Sequence, residues 1–439
     1  MNKARCLFGA LVCLTLSGPA RAENWPQWRG PWFNGSSGEK GLPTNWTKES
    51  AVWVADMPGP AAATPIIWED LVFISTVDAA ASSLHAMCLD RRTGKVLWDK
   101  TAGEGRIRLD DRSNFASPSP VVDGEHCFFF YCDGTMLGFD HAGRQIWSRS
   151  LTKEYGEFAM NWTFSSSPTL YDGKLYMQVL QRDRPARGRG RADGPIDSFL
   201  LVLDPATGSN LARVVRPTDA LEESHDAYST PIPFEFQGQK QILVGGGNYV
   251  TGHELGTGRE LWRSPDLNPR HGRNWRVVTS PVASGGIVLA CAPQNNTVRA
   301  LQPPGSGAPS GAALVWSEEE HREISTDVPT PAVSDGDFFV LGDASKTLSR
   351  LEAATGKIKW QTALPGSRIY QASPTAADGR IYLMNFAGDV VLVDAAGGAV
   401  LNTIAMGEPG DDQTRSTIAV SNGQLFIRTN HKLYCIGKQ

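Results

Sequence analysis

Six stretches of this chain place aromatic, amide or charged side chains just ahead of a Ser-Pro or Thr-Pro pair, and a seventh does so ahead of Thr417-Ile418. They are Asn114-Phe115, Asn161-Trp162, His225-Asp226-Ala227-Tyr228, Asn274-Trp275-Arg276, Asp327, Tyr370-Gln371 and Gln413-Thr414-Arg415. Brought together, they would form a ring suited to a planar or sugar-like ligand. Trp162 and Trp275 would supply flat faces, Arg276 and Arg415 anion contacts, and Asn161, Tyr228, Tyr370 and Gln371 hydrogen bonds. His225 and Asp226 adjoin one another, and acid-base work there would need a third group within hydrogen-bond reach. Asp226 and Asp327 are a candidate carboxylate pair for cleaving a glycosidic bond, a chemistry that depends on their separation. The same groups serve equally well as polar lining of a wet channel, and the sequence leaves both readings open.

Other chemistry-bearing residues are weaker candidates. Asp110-Asp111 and Asp411-Asp412 offer oxygen donors to calcium, but no calcium-loop spacing surrounds either pair. Cys127 and Cys132 flank an apolar run, five residues apart on one extended strand, which is too far to bridge. No C-x-x-C, C-x-x-C-H or clustered His/Cys spacing occurs, so neither covalent haem nor a metal site is expected. The Arg/Gly run over 182–191 reads as an exposed, mobile insertion that meets water or an acidic partner. A formal net charge of −4 gives no basic excess for a phosphate backbone, which argues against a nucleic-acid partner.

The elements that must position these residues repeat along the chain. Each unit opens with Ser/Thr-Pro, at Thr64, Ser119, Ser167, Thr230, Ser280, Thr330 and Ser373, with a degenerate opening at Thr417. A turn such as Asp172-Gly173 or Asp378-Gly379 follows, then an aromatic and β-branched strand, a Thr-Gly turn such as Thr93-Gly94, and a terminal Trp such as Trp98, Trp147, Trp262 or Trp360. Eight units about fifty residues apart suit the four-stranded blades of a β-propeller. Ala212 and Leu401 replace the Trp in units three and seven. The eighth unit ends three strands in, at Leu433-Tyr434-Cys435-Ile436. Ala51-Val52-Trp53-Val54 resembles the missing Trp-bearing strand, so the chain is expected to be all-β, an eight-bladed propeller closed by an N-terminal strand joining the last blade. In such a ring the loops ahead of the innermost strands surround one channel mouth.

Residues 1–22 read as a signal peptide. Lys3 and Arg5 precede an apolar run over 6–16, and Ala20-Arg21-Ala22 is a small-residue cleavage pattern. The run is too short to span a hydrocarbon core, and Cys13 lacks the small residue expected before a lipidated cysteine. The expected organisation is a signal peptide over 1–22, an N-terminal extension over 23–49 and a propeller over 50–439, in a periplasmic or secreted protein with no transmembrane segment.

Leu201-Val202-Leu203-Asp204-Pro205-Ala206-Thr207-Gly208 and the run from Leu351 to Trp360 resemble the repeats of pyrroloquinoline-quinone-type propellers. The opening Trp25-Pro26-Gln27-Trp28-Arg29-Gly30-Pro31 is similar to the start of an environmental-bacterial subgroup. The resemblance implies that the repeated Trp and Gly dock neighbouring blades. It also implies two functions: a non-catalytic binding or scaffolding propeller without a cofactor, like the outer-membrane assembly lipoprotein, or a dehydrogenase using pyrroloquinoline quinone with calcium; the Asp226 and Asp327 pair adds a carbohydrate-active enzyme as a third reading. The absence of an adjacent cysteine pair and of a haem motif favours the first, with a protein or glycan partner at a propeller face.

Overall fold

The computed structural model describes residues 23–105, 113–191, 193–292, 298–305, 311–318, 324 and 326–438. Residues 1–22, expected to be a signal peptide, and Asp110-Asp111 lie outside them. Eight antiparallel sheets follow one another around an axis, blades 1 to 7 spanning 66–104, 121–150, 169–215, 232–263, 282–318, 332–363 and 375–405. Blade 8 takes three strands from 419–436, and its outermost strand is Trp53–Asp56, antiparallel to Lys432–Ile436.

Local chemistry explains the repetition. Asp172, Asp335, Asp378 and Asn422 and the glycines after them all have positive φ, the geometry of a tight hairpin turn between strands one and two. At the second turn, glycine is required for space as well as backbone angle. Gly208 has a φ of +69°, and a Cβ there would sit 2.6 Å from Trp147 Cδ2 of the preceding blade. Trp53, Trp98, Trp147, Trp316 and Trp360 each lay the indole against such a glycine and donate Nε1–H to a backbone carbonyl of the next blade. Trp262 is the departure: its Nε1 donates instead to Gln241 within its own blade, at 2.6 Å.

The Ser/Thr-Pro openings have a role beyond marking blade starts. Around the axis the N–H of each donates to the hydroxyl of the next: Thr64 to Ser119 at 2.9 Å, Ser119 to Ser167 at 2.9 Å, Ser167 to Thr230 at 3.0 Å, Thr230 to Ser280 at 2.8 Å, Ser280 to Thr330 at 2.9 Å and Thr330 to Ser373 at 3.0 Å. Proline is compatible with this belt because the residue before it supplies the donor. Replacing Ser167 by Ala strips the acceptor from the buried Ser119 amide. It is expected to lower stability by about 1–3 kcal/mol in guanidinium denaturation, with Ser167→Thr close to the parent.

The N-terminal segment closes one end of the ring. Trp25 forms a bridge with Ile67 of blade 1, Pro26 accepts from Val122 of blade 2, Asn34 from Val333 of blade 6, and Ser36–Ser37 pairs in parallel with the innermost strand of blade 7. These contacts lie at the turn end of the innermost strands. Arg29, only 1% exposed, reaches the carbonyls of Pro331 at 2.8 Å and Pro374 at 3.3 Å, tying blades 6 and 7 together. Burial without a carboxylate partner among the described residues pushes its guanidinium down to about 9.

Candidate functional site

With one mouth covered, the axis becomes a blind cup opening on the loops ahead of the blades. Its open space is about 160 Å³ as measured to the centres of water molecules, and Trp28 of the N-terminal segment is among its lining residues. The walls are chemically unequal. The approaches to blades 2 and 3 contribute hydroxyls, from Ser113, Ser117, Ser119, Thr163, Ser165 and Ser167. The approaches to blades 5 to 8 contribute Arg276, Asp327, Gln371 and Arg415. Arg276 pairs with Asp327 at 3.0 Å and lies 3.8 Å from Glu223. Arg415 donates Nε–H to Gln371 Oε1 at 3.1 Å and lies over the Phe386 ring at 4.9 Å.

Trp162, Tyr228, Arg276, Asp327, Gln371 and Arg415, all singled out by sequence, therefore share the cup. Asn161, His225, Asp226, Trp275 and Tyr370 are not among its lining residues. Asn161 donates its backbone N–H to Asp226 Oδ2 at 2.9 Å. Asp226 is fully buried and also meets Arg182 Nε at 3.4 Å; burial raises its carboxyl to about 7 against the ordinary 3.8. His225 ends the short helical turn Glu222–His225, and burial lowers its pKa, favouring the neutral ring. Trp275 packs beside Cys291 and Leu267 in a separate small void, its indole N–H buried without a partner among the described residues. Tyr370 donates to Pro365 O at 2.6 Å, and burial lifts its hydroxyl to about 12.

Behind Trp162 stands a second tier. Its Nε1 donates to Glu223 at 2.7 Å, its backbone N–H donates to the Tyr228 hydroxyl at 3.0 Å, and the Arg187 guanidinium lies 4.5 Å from its ring centre. Arg189 donates to the carbonyls of Met160 and Asn161, at 2.6 and 3.0 Å. Of the 182–191 insertion expected to be exposed, residues 183–185, 187 and 188 are exposed, while Ala186 is buried and Arg182, Arg187 and Arg189 are held at the mouth by the buried Asp226, the Trp162 indole face and the carbonyls of Met160 and Asn161.

The family profile described as outer membrane protein assembly factor BamB, built on pyrroloquinoline-quinone-like repeats, matches residues 44–176, 88–306 and 294–385. The chain belongs to this family. No curated protein sequence matches it. The propeller superposes on a europium-containing methanol dehydrogenase with a TM-score of 0.66 at 10% identity, covering 95% of this chain and 98% of that one. For the quinohaemoprotein alcohol dehydrogenase of Comamonas testosteroni the values are 0.64, 11%, 95% and 81%. For BamB of Moraxella catarrhalis they are 0.58, 11%, 88% and 97%. At these identities the likeness is one of fold.

The BamB-family propeller described here shares its fold with proteins named for quinone or lanthanide chemistry, so its cup must be tested for such a group. A metal-assisted quinone needs several oxygen donors around one ion. The one carboxylate among the lining residues, Asp327, is already held by Arg276. Among the described residues no three His, Cys, Asp or Glu side chains gather as a metal site. Asp411 accepts from His431 and from the Glu408 amide, and Asp412 pairs with Arg368. Among the described residues these donors do not fit a quinone–calcium pair, and no catalytic step is derived through one. All five cysteines after residue 22 are buried, and burial holds the thiols of Cys88, Cys127, Cys291 and Cys435 protonated. No described helix is long and apolar enough to cross a membrane.

Proposed function

We propose that the protein is a non-catalytic binding or scaffolding propeller of the cell envelope, periplasmic or secreted, that seats a ligand in its axial cup. The observation that carries this reading is the covering of the far mouth by the segment holding Trp25, Trp28 and Arg29, which turns a through-channel into a closed-ended recess. Asp226, whose carboxyl is lifted to about 7, points into protein toward Arg182 and the Asn161 amide, away from the cup. A pair of carboxylates facing one ligand, as glycosidic cleavage needs, is not offered by the lining. The family's assembly-factor description favours a partner on a propeller face as a companion role.

Thermal unfolding of residues 23–439, with and without pyrroloquinoline quinone plus calcium, tests the reading. A quinone-dependent enzyme would gain about 2.7 kcal/mol at a hundredfold excess over its dissociation constant. The expected result is an unchanged midpoint with the quinone–calcium pair. A clear rise that requires calcium would overturn the non-catalytic reading in favour of a dehydrogenase.

A further inference from the structure

We propose that the ligand is an acidic oligosaccharide, held with one terminal sugar acid in the cup and the following units along an arginine rim over blades 3 and 4. This rests on the cup being the ligand seat. The asymmetry of the cup argues for a molecule with hydroxyls on one side and a carboxylate on another. Serines and threonines crowd the wall by blades 2 and 3 and recur at Thr230, Ser373 and Thr417, whereas the two arginines of the lining, Arg276, paired with Asp327, and Arg415, both stand on the wall formed by blades 5 to 8. Trp28, Trp162 and Tyr228 add aromatic surface suited to the C–H face of a sugar ring. The local charge favours an anion. Arg29, buried without a carboxylate partner among the described residues, lies 5.5 Å from the Trp28 ring and so close beneath the cup.

The rim continues that charge outward. Residues 182–191 carry five arginines and one acid, and residues 270–276 carry three arginines and none, in a chain whose net charge is −4. The two loops meet across Glu222, which pairs with Arg184 and lies 3.7 Å from Arg273. Arg184 and Arg273 remain 58% and 70% exposed. Arg187, stacked on Trp162, joins this rim to the wall of the cup. A short, carboxylate-bearing polymer fits this track, since planar guanidinium groups recognise carboxylates in paired contacts and lose strength as salt screens them.

Titration calorimetry and melting of the folded protein with trigalacturonate, maltotriose and pyrroloquinoline quinone, each alone, decide the matter. Trigalacturonate is expected to bind and raise the midpoint, with affinity falling as salt rises, and maltotriose to do neither. Arg276→Gln should weaken binding at least tenfold and the triple variant R184A/R187A/R273A severalfold, with Ser165→Trp blocking the cup; circular dichroism confirms that each variant is folded. Equal binding of maltotriose would overturn the acidic class while leaving the cup as the seat. Binding of the quinone but not of trigalacturonate would replace the saccharide with a planar aromatic acid at the same cup. Trigalacturonate binding that survives Ser165→Trp would overturn both the proposal and the cup reading, and no binding by trigalacturonate at millimolar concentration would overturn the proposal.

Discussion

Removing residues 23–57 is expected to abolish cooperative unfolding of the ring. The segment carries Trp25, Trp46 and Trp53, at 0%, 6% and 8% exposure, together with Leu42 and Met57. Losing a buried Trp costs about 3–5 kcal/mol on its own, and a domain of this kind has only about 5–15 kcal/mol of net stability. The deletion also strips Lys432–Ile436 of its outer partner and exposes a sheet edge. Removing residues 23–37 alone is a sharper experiment, because the blade-closing strand Trp53–Asp56 is kept. That shorter deletion should retain β-sheet circular dichroism but melt at least 10 °C lower, since it takes away Trp25 and the Arg29 ties to blades 6 and 7. A 23–37 deletion melting at the parental midpoint would show that the segment rests on the ring without stabilising it.

The second large effect is expected with pH. Asp226 holds its proton to about 7 in the folded protein, well above the ordinary 3.8, because burial disfavours the anion. The folded state therefore binds more protons than the unfolded one between these values. This contribution to stability is fully present below about 4 and is lost as pH rises through 7. The full swing is on the order of 4 kcal/mol, at about 1.4 kcal/mol per pH unit. Asp226→Asn keeps an oxygen for the Asn161 amide and never ionises. Denaturation free energies of parent and variant, subtracted at each pH from 4 to 8, should show the parent losing stability relative to the variant across this window and running parallel above it. A constant difference at every pH would mean that Asp226 is already ionised at acid pH, held by Arg182.

The sequence made the blades legible because each one restates the same physical problem. A hairpin turn needs positive φ, and the next blade's glycine leaves room for the preceding indole, so Asp172-Gly173 and Trp147 against Gly208 read directly from spacing. The closing strand was legible from its similarity to the other Trp strands. The covering of the far mouth was not. The Trp25, Trp28 and Arg29 pattern recurs nowhere else in the chain, and the partners of Arg29, Pro331 and Pro374, lie more than three hundred residues away. At the open mouth, sequence singled out both members of neighbouring pairs, Asn161 with Trp162, Trp275 with Arg276, and Tyr370 with Gln371. Trp162, Arg276 and Gln371 line the cup, whereas Tyr370 is wholly buried, Trp275 packs into a separate void, and Asn161 engages Asp226 through its backbone amide. The hydroxyl belt was hidden differently. Its residues marked where each blade begins, and the donor is a backbone amide, which no side-chain pattern betrays.

The pairing of Trp53–Asp56 with Lys432–Ile436 also sets an order of events in time. Lys432 meets Asp56 across 376 positions of sequence, so one of the first strands to be made waits for one of the last. Until that late arrival every earlier blade belongs to an open arc, and contacts this distant in sequence form slowly. A protease that clips Lys432–Ile436 from a finished ring therefore also frees Trp53–Asp56, hundreds of residues from the cut.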